Sequence, residues 1–215
     1  MTETDYFQRP EVSNSTLGKL DKLMKGEQEL DNPEFFKFGH LHDAVITEPE
    51  KVNYLNLRVW DEQYTHEDFA KVKLMKEAFF KDDFCTKLHK GSKFQHISVG
   101  EIEVIYRGFE FSLEARCKWD GWKPPIGWEL KSTVATSQKA FEELCNYFHY
   151  NRAGAWYMDI AGIDTYVMIG QSKKNPKLPP FRKIVRRGDD FYLSGKAEYE
   201  ELAFKYWSLI NNFGI

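Results

Sequence analysis

The sequence predicts a single α/β domain, and three observations carry that reading. Residues 109–120 alternate strictly: Phe109, Phe111, Leu113, Ala115, Cys117 and Trp119 are apolar, and Glu110, Ser112, Glu114, Arg116, Lys118 and Asp120 are polar. Period two marks a strand with one buried face. Residues 66–81 instead space Phe69, Val72, Leu74, Met75 and Phe79 as one side of a helix. The length of 215 residues, with 42% hydrophobic and 16% aromatic content, suffices for one domain with a substantial core.

Taken in order, residues 1–12 read as an irregular arm. Ser13, Asn14, Ser15 and Thr16 are N-cap residues ahead of Leu17, Leu20 and Leu23, and Gly26 ends that helix. Asn32 caps a second helix with Pro33 at its first position. It carries Phe35, Phe38, Leu41, Val45 and Ile46 on its apolar side and closes before Pro49. His40 and His42 are two apart and share no helix face, which argues against a zinc pair. Asp43 follows the small Gly39 by four residues; it reads either as an exposed aspartate or as one aimed into a cleft. Residues 50–64 lack periodicity and read as loop. The helix over 66–81 has a basic side of Lys71, Lys73 and Lys76, either solvated or touching phosphates. A short helix to His89 ends at Gly91.

Strands follow at 97–99, 103–106 and 109–120, read as a meander. Ser137 starts a helix with Phe141, Leu144 and Phe148 on one side. Residues 150–158 form a closely packed helix of small residues between aromatics, and 165–171 a buried strand. Residues 173–180 are a basic, proline-rich loop, and 181–187 a last strand bearing Arg182, Lys183, Arg186 and Arg187. Ser194 and Gly195 precede a final amphipathic helix over 198–211. The loop and strand, with Lys173, Lys174, Arg182 and Arg186, are the densest positive cluster. It reads equally as a phosphate-binding patch or as charge protecting an edge strand.

The net charge of −3 gives no global basic signature, so nucleic-acid binding needs such a local patch. Cys85, Cys117 and Cys145 are odd in number, widely spaced and fit no metal pattern, as expected of reduced thiols in a cytoplasmic protein. There is no signal peptide and no apolar run long enough to cross a bilayer, so no membrane association is expected.

The chemistry centres on residues 120–133. Ile126, Trp128 and Leu130 alternate with Gly127, Glu129 and Lys131, so a hairpin would place Asp120, Glu129 and Lys131 on one polar face. Two close carboxylates repel unless a cation sits between them, and hard oxygen ligands suit Mg²⁺ or Mn²⁺. A lysine beside them orients or deprotonates a water, or stabilises charge on a phosphate. The competing reading is a solvated strand face with a chance salt bridge.

Four blocks, in order, resemble the PD-(D/E)XK nuclease superfamily, and within it the phage-type exonuclease VIII group, more distantly the lambda-type exonucleases. They are Ser13 to Leu17; Phe38 to Pro49, similar to a Gly-x-x-x-His-x-x-x-x-Glu-Pro helix; Asp120 with Glu129 to Thr133; and Tyr150 to Tyr157, similar to a Tyr-x-x-Gln-x-x-x-Tyr helix. The resemblance implies a restriction-endonuclease-like core, a central mixed β-sheet flanked by α-helices. It implies Mg²⁺- or Mn²⁺-dependent cleavage of DNA with Asp120, Glu129 and Lys131 as catalytic residues. The metal would be held by Asp43, Asp120, Glu129 and the Leu130 carbonyl, with Tyr157 near the DNA backbone. Asp43 stands where the family often has histidine, and Ala153 where it usually has glutamine; Arg152 and Asn151 flank that gap.

The resulting expectation is a single-domain exonuclease acting on linear duplex DNA in phage-type recombination or repair. The resemblance further implies a ring-shaped homo-oligomer and a single-strand annealing protein as partner. The alternatives are an endonuclease or single-strand nuclease of the same fold, or a DNA-binding or assembly protein weakened in or without catalysis. Arg152, Lys173, Lys174, Arg182 and Arg186 join Tyr157 as candidate DNA contacts.

Overall fold

The structure is a computed structural model that describes residues 6, 8–27 and 33–213; the side chains of residues 33–35, 212 and 213 lie outside it. The expected Asn32 cap, the Phe35 side chain and most of the N-terminal arm therefore fall outside the described residues.

Local signals account for most helices. Helix α1 (Asn14–Met24) starts at Ser13, whose hydroxyl accepts the Thr16 N–H while Thr16 returns a bond to the Ser13 N–H. This reciprocal box satisfies two otherwise orphaned donors. Helix α2 spans Pro33–Thr47. Thr65 and Asp68 form the same box for α3 (His66–Lys81), and Asp82 caps α4 (Asp83–His89). Ser137 caps α5 (Gln138–Tyr147), followed by α6 (Tyr150–Ala161) and α7 (Asp190–Phe213).

Strand β1 (Val12–Ser13) precedes α1, and β2 (Val52–Asn53), β3 (Arg58–Val59) and β4 (Glu62–Gln63) follow α2. The main strands are β5 (Lys93–Tyr106), β6 (Phe109–Lys123), β7 (Ile126–Thr133), β8 (Thr165–Ser172) and β9 (Phe181–Arg186). The sheet order is β1-β6-β7-β8-β9, with β5 also paired to β6. Pairing is parallel for β1–β6 and β7–β8 and antiparallel for β5–β6, β6–β7 and β8–β9. The expected central mixed sheet flanked by helices is present.

Three expectations need correction. Residues 50–64 are not simple loop: β2, β3 and β4 form a small antiparallel sheet, anchored by buried Val59 and Tyr64 against Leu41, Val45, Phe69 and Val72. Two-residue strands are too short to show period two. The meander is a single long hairpin, because 93–106 is one strand that turns through Arg107 and Gly108, both at positive φ (50° and 83°). That geometry twists with the strands and suits a two-residue turn. The last helix begins at Asp190, and Gly195 lies inside it. A Cβ there would sit 2.1 Å from the Asn151 carbonyl oxygen, so glycine lets α7 lie against α6 rather than marking a boundary.

Two apolar layers enclose the sheet. On one side Ala115, Cys117, Trp119, Tyr166 and Met168 pack with Phe141, Trp156 and Met158 of α5 and α6 and with Tyr199 of α7. On the other, Trp128, Leu130, Val167 and Ile169 pack on Ile46, Phe79, Cys85 and Leu88. Full burial of each such large side chain contributes about 1.5–3 kcal/mol. The three cysteines are buried and unpaired. Among the described residues no helix is long and apolar enough to cross a membrane.

Candidate active site

The site forms where β6 and β7 part. Their ladder covers only Gly121↔Trp128, Trp122↔Gly127 and Lys123↔Ile126. A glycine on each strand makes room for an indole at this short pairing. A Cβ at Gly121 would lie 2.0 Å from the Trp128 ring, and one at Gly127 would lie 2.1 Å from the Trp119 ring. Past Gly121 the strands diverge, and Asp120 sits in the opening. Its Oδ2 accepts the Leu130 N–H at 2.7 Å, holding the carboxylate against the start of the divergent part of β7.

The period-two pattern is broken at this residue. The β5–β6 ladder runs from Lys93↔Trp122 to Tyr106↔Phe109 and skips one position, where Gln95 faces Asp120. Gln95 has φ 52°, a left-handed conformation uncommon for a side-chain-bearing residue. On either side of the skip the faces exchange. Trp119 and Trp122, three apart, touch with centroids 5.2 Å apart, and His96 stacks on Trp122 at 5.4 Å. Phe94 turns the other way, to Trp128. Such irregularities recur at functional sites, where they re-aim a side chain.

Asp43 approaches from α2. Its Oδ1 accepts from Thr47 Oγ1 at 3.0 Å and its Oδ2 from Gln95 Nε2 at 2.8 Å. Gly39 does not bring it in by a close approach: a Cβ there would meet only Ser132 Oγ at 3.7 Å, an ordinary contact. Burial pushes the Asp43 pKa up to about 6. Burial, then Asp43 and then Glu129, push the Asp120 carboxyl well above its usual range.

Glu129 is buried and pairs with Lys131 Nζ at 2.8 Å. Burial alone would lower the Lys131 pKa, but Glu129, Tyr150 and Asp120 outweigh it and raise it above the ordinary lysine value. That direction favours the charged form of the side chain, which suits it to balancing charge. Its ammonium lies 5.0 Å from the centre of the Tyr150 ring. Tyr157 meets Trp119 edge-on at 5.1 Å, and its hydroxyl pKa is raised well above the usual value by burial and then by Glu129. Tyr166, next to it, is fully buried, and burial followed by Glu129 pushes its hydroxyl pKa well above the usual value.

Asp43, Asp120 and Glu129 are oxygen donors of the kind a hard divalent cation takes, and the charges of Asp43 and Glu129 act on Asp120. The chemistry of the donor set fits such an ion. Among the described residues, however, no three acidic, histidine or cysteine side chains converge as a metal-binding group. Each carboxylate is turned to a protein donor: Asp43 to Thr47 and Gln95, Asp120 to Leu130, and Glu129 to Lys131.

The candidate DNA contacts are dispersed. Lys173 follows β8, its N–H bonded to the Thr133 carbonyl at 2.7 Å, and its ammonium lies 5.9 Å from the Phe38 ring. Lys71 lies 5.7 Å from the same ring, and burial followed by Lys71 lowers the Lys173 pKa. Lys174 and Arg186 are exposed. Arg182, on edge strand β9, pairs with Asp82 and covers the Phe84 ring at 4.6 Å. Arg152 is taken up inside the fold, bonded to Asn14 at 2.9 Å and to Glu198 at 3.1 Å. Ala153 is buried beside Gly154, where a Cβ would press on the Tyr166 ring at 2.9 Å.

Sequence reasoning missed Gln95, Thr47 and Lys118, the last of which lowers the Asp43 pKa from β6. Lys118 shares the polar parity of Asp120 and was legible there. Gln95 was not, because its partners Asp43 and Thr47 lie on α2, 52 and 48 residues away.

A mixed sheet that forks at a carboxylate, with Glu-x-Lys on the diverging strand, defines a protein of the PD-(D/E)XK class. The chain belongs to the family described as a PDDEXK-like domain of unknown function (DUF3799), which matches residues 12–208. No curated protein matches it. A candidate exonuclease from Eubacterium rectale has a similar structure, with TM-score 0.67 at 16% identity over 99% of this chain and 87% of that one. More distant are a phage-related exonuclease from Haemophilus somnus and an alkaline exonuclease from Laribacter hongkongensis. The first has TM-score 0.45 at 12% identity, covering 99% of this chain and 100% of its own. The second has TM-score 0.40 at 12% identity, covering 95% and 91%.

Proposed function

We propose that the protein is a metal-dependent deoxyribonuclease, an exonuclease that hydrolyses phosphodiester bonds of linear duplex DNA in phage-type recombination or repair. The observation that supports this is the placing of Asp120 and the Glu129–Lys131 ion pair at the fork of β6 and β7. Asp43, Asp120, Glu129 and the Leu130 carbonyl would hold Mg²⁺ or Mn²⁺. When bound, the cation supplies charge neutralisation at the phosphate and lowers the pKa of a bound water. Lys131 balances the charge that grows on the phosphate, and Gln95 and Thr47 hold Asp43 in place. Lys173, Lys174 and Arg186 are the surface cations offered to the DNA backbone. A ring-shaped homo-oligomer and a single-strand annealing partner belong to the same proposal, by the resemblance alone.

A non-catalytic DNA-binding protein of this fold is the second reading, favoured by the engagement of each carboxylate with a protein donor. Incubation with linear and closed-circular duplex, with Mg²⁺, Mn²⁺ or chelator, separates the readings. Metal-dependent loss of the linear form alone, slowed about 100-fold or more in a folded Lys131→Ala variant, is expected. Cutting of both forms identifies an endonuclease. Binding without cutting under any metal overturns the catalytic reading.

A further inference from the structure

We propose that Tyr147 and Phe148 form a stacking step for unpaired bases of a strand entering or leaving the site; this rests on the nuclease reading above. A continuous run of rings leads outward from Lys131. Its ammonium lies 5.0 Å from the Tyr150 ring centre. Tyr150 stacks with Phe148 at 5.8 Å and 27°, and Phe148 meets Tyr147 edge-on at 5.0 Å and 84°. Exposure rises along the run: Tyr150 is partly buried, Phe148 is 52% exposed and Tyr147 is 74% exposed.

The backbone holds the outer rings in this position. Phe148 closes α5, and His149, at φ 54° and ψ 37°, reverses the chain into α6 in a left-handed conformation. The His149 imidazole is pinned 2.7 Å from Glu198 of α7. The turn is therefore fixed to the body of the fold while its two aromatic neighbours face solvent.

The surroundings favour a nucleobase over a protein as occupant. The adjacent exposed positions of α5 are polar, Lys139, Glu143 and Asn146, so the exposed apolar surface at this end of α5 is the two rings. That is the footprint of one or two bases, which stack on aromatic faces irrespective of sequence. A protein interface buries a broader apolar centre. The step is also continuous with the cation at the fork, so a strand whose phosphate lies at Lys131 has its neighbouring bases within reach of these rings.

Binding is measured in an Asp120→Asn background with Mg²⁺, so that nothing is cut. The probes are a fluorescein-labelled single strand of about 12 nucleotides, within the usual site sizes for such grooves, and a duplex closed by hairpins at both ends. The Tyr147→Ala/Phe148→Ala variant, folded by circular dichroism, is expected to bind the single strand about tenfold or more weakly. It should bind the closed duplex within about twofold of the parent. Tyr147→Phe/Phe148→Tyr should bind like the parent. Unchanged single-strand affinity in the alanine variant overturns the proposal, as does a fall in sedimenting mass with that affinity unchanged, which identifies a protein interface. A parent that binds neither probe removes the nuclease reading itself, and this proposal with it.

Discussion

Gln95 Nε2 donates a 2.8 Å hydrogen bond to Asp43 Oδ2 across a separation of 52 residues. The donor residue is the one that faces Asp120 where the β5–β6 ladder skips a pair, and it is held at φ 52°. The residue that stands opposite the strand-borne carboxylate in register thus donates to the helix-borne one. A left-handed conformation costs a non-glycine residue about 1–2 kcal/mol, and here it sits beside the candidate chemistry.

Replacing Gln95 separates that cost from its use. Gln95→Ala removes a neutral donor to a carboxylate, an interaction worth about 1.5–3 kcal/mol, and should slow DNA hydrolysis about tenfold. Gln95→Gly should be equally slow yet more stable than Gln95→Ala by about 1 kcal/mol, because glycine adopts this φ freely. Turnover rates and urea midpoints check both halves. Parent-like turnover in both variants would show that Gln95 does not position Asp43.

Arg152 should act on stability. Its guanidinium joins α6 to Asn14 of α1 and Glu198 of α7, and it is buried. Arg152→Ala leaves Glu198 beside the His149 imidazole at 2.7 Å without its guanidinium partner and should destabilise the fold by about 3 kcal/mol. At temperatures where the variant stays folded, its DNA affinity should match the parent. A loss of affinity without a loss of stability would instead make it a DNA contact.

Gly195→Ala should destabilise by about 1–3 kcal/mol or more, through overpacking of α7 on α6. The new methyl would lie 2.1 Å from the Asn151 oxygen, and the backbone cannot turn aside as a side chain can. Chemical denaturation against a Leu193→Ala control at the exposed neighbouring face measures it. A parent-like midpoint for Gly195→Ala would mean that the two helices can slide apart freely.

Asp159 gives the fold a dependence on acid. It accepts hydrogen bonds from Tyr199, Tyr192 and Arg187 and lies 3.5 Å from Lys196. Burial would raise its pKa, but the bonds from Tyr199, Arg187 and Tyr192 outweigh burial and hold the carboxyl below its ordinary value. A depressed folded pKa stabilises the native state above the unfolded pKa, near 3.9, and that contribution is lost as pH falls through the folded value. Asp159→Asn should therefore cost about 2 kcal/mol at pH 7, and the gap to the parent should close below about pH 4. Denaturation midpoints between pH 3 and pH 7 check the sign; a constant gap would assign the cost to geometry alone.

Elements set by neighbours along the chain are legible in the amino-acid sequence itself. Ser13, Thr65 and Ser137 cap the helices that their spacing announces, since a cap is a contact within four residues. The alternation over 109–120 marks a strand of β6, and Glu129 and Lys131 emerge together from β7 because two residues apart on a strand share a face. The amino-acid sequence by itself thus determined the class of fold, the strands that bear the site and the Glu-x-Lys pair.

The tertiary structure decided what no window of residues contains. The exchange of faces at Gln95 and Asp120 goes with bonds from Gln95 to Asp43 and Thr47 of α2. The burial of Arg152 depends on α1 and α7 meeting at α6, and the dispersal of Arg182 and Lys173 depends on Asp82 and Phe38 standing where they do. Gly195 reads as a helix boundary in sequence because its partner, the Asn151 carbonyl, belongs to another helix. In each case the deciding partner is distant along the chain, so periodicity and capping, which are local, carry no trace of it.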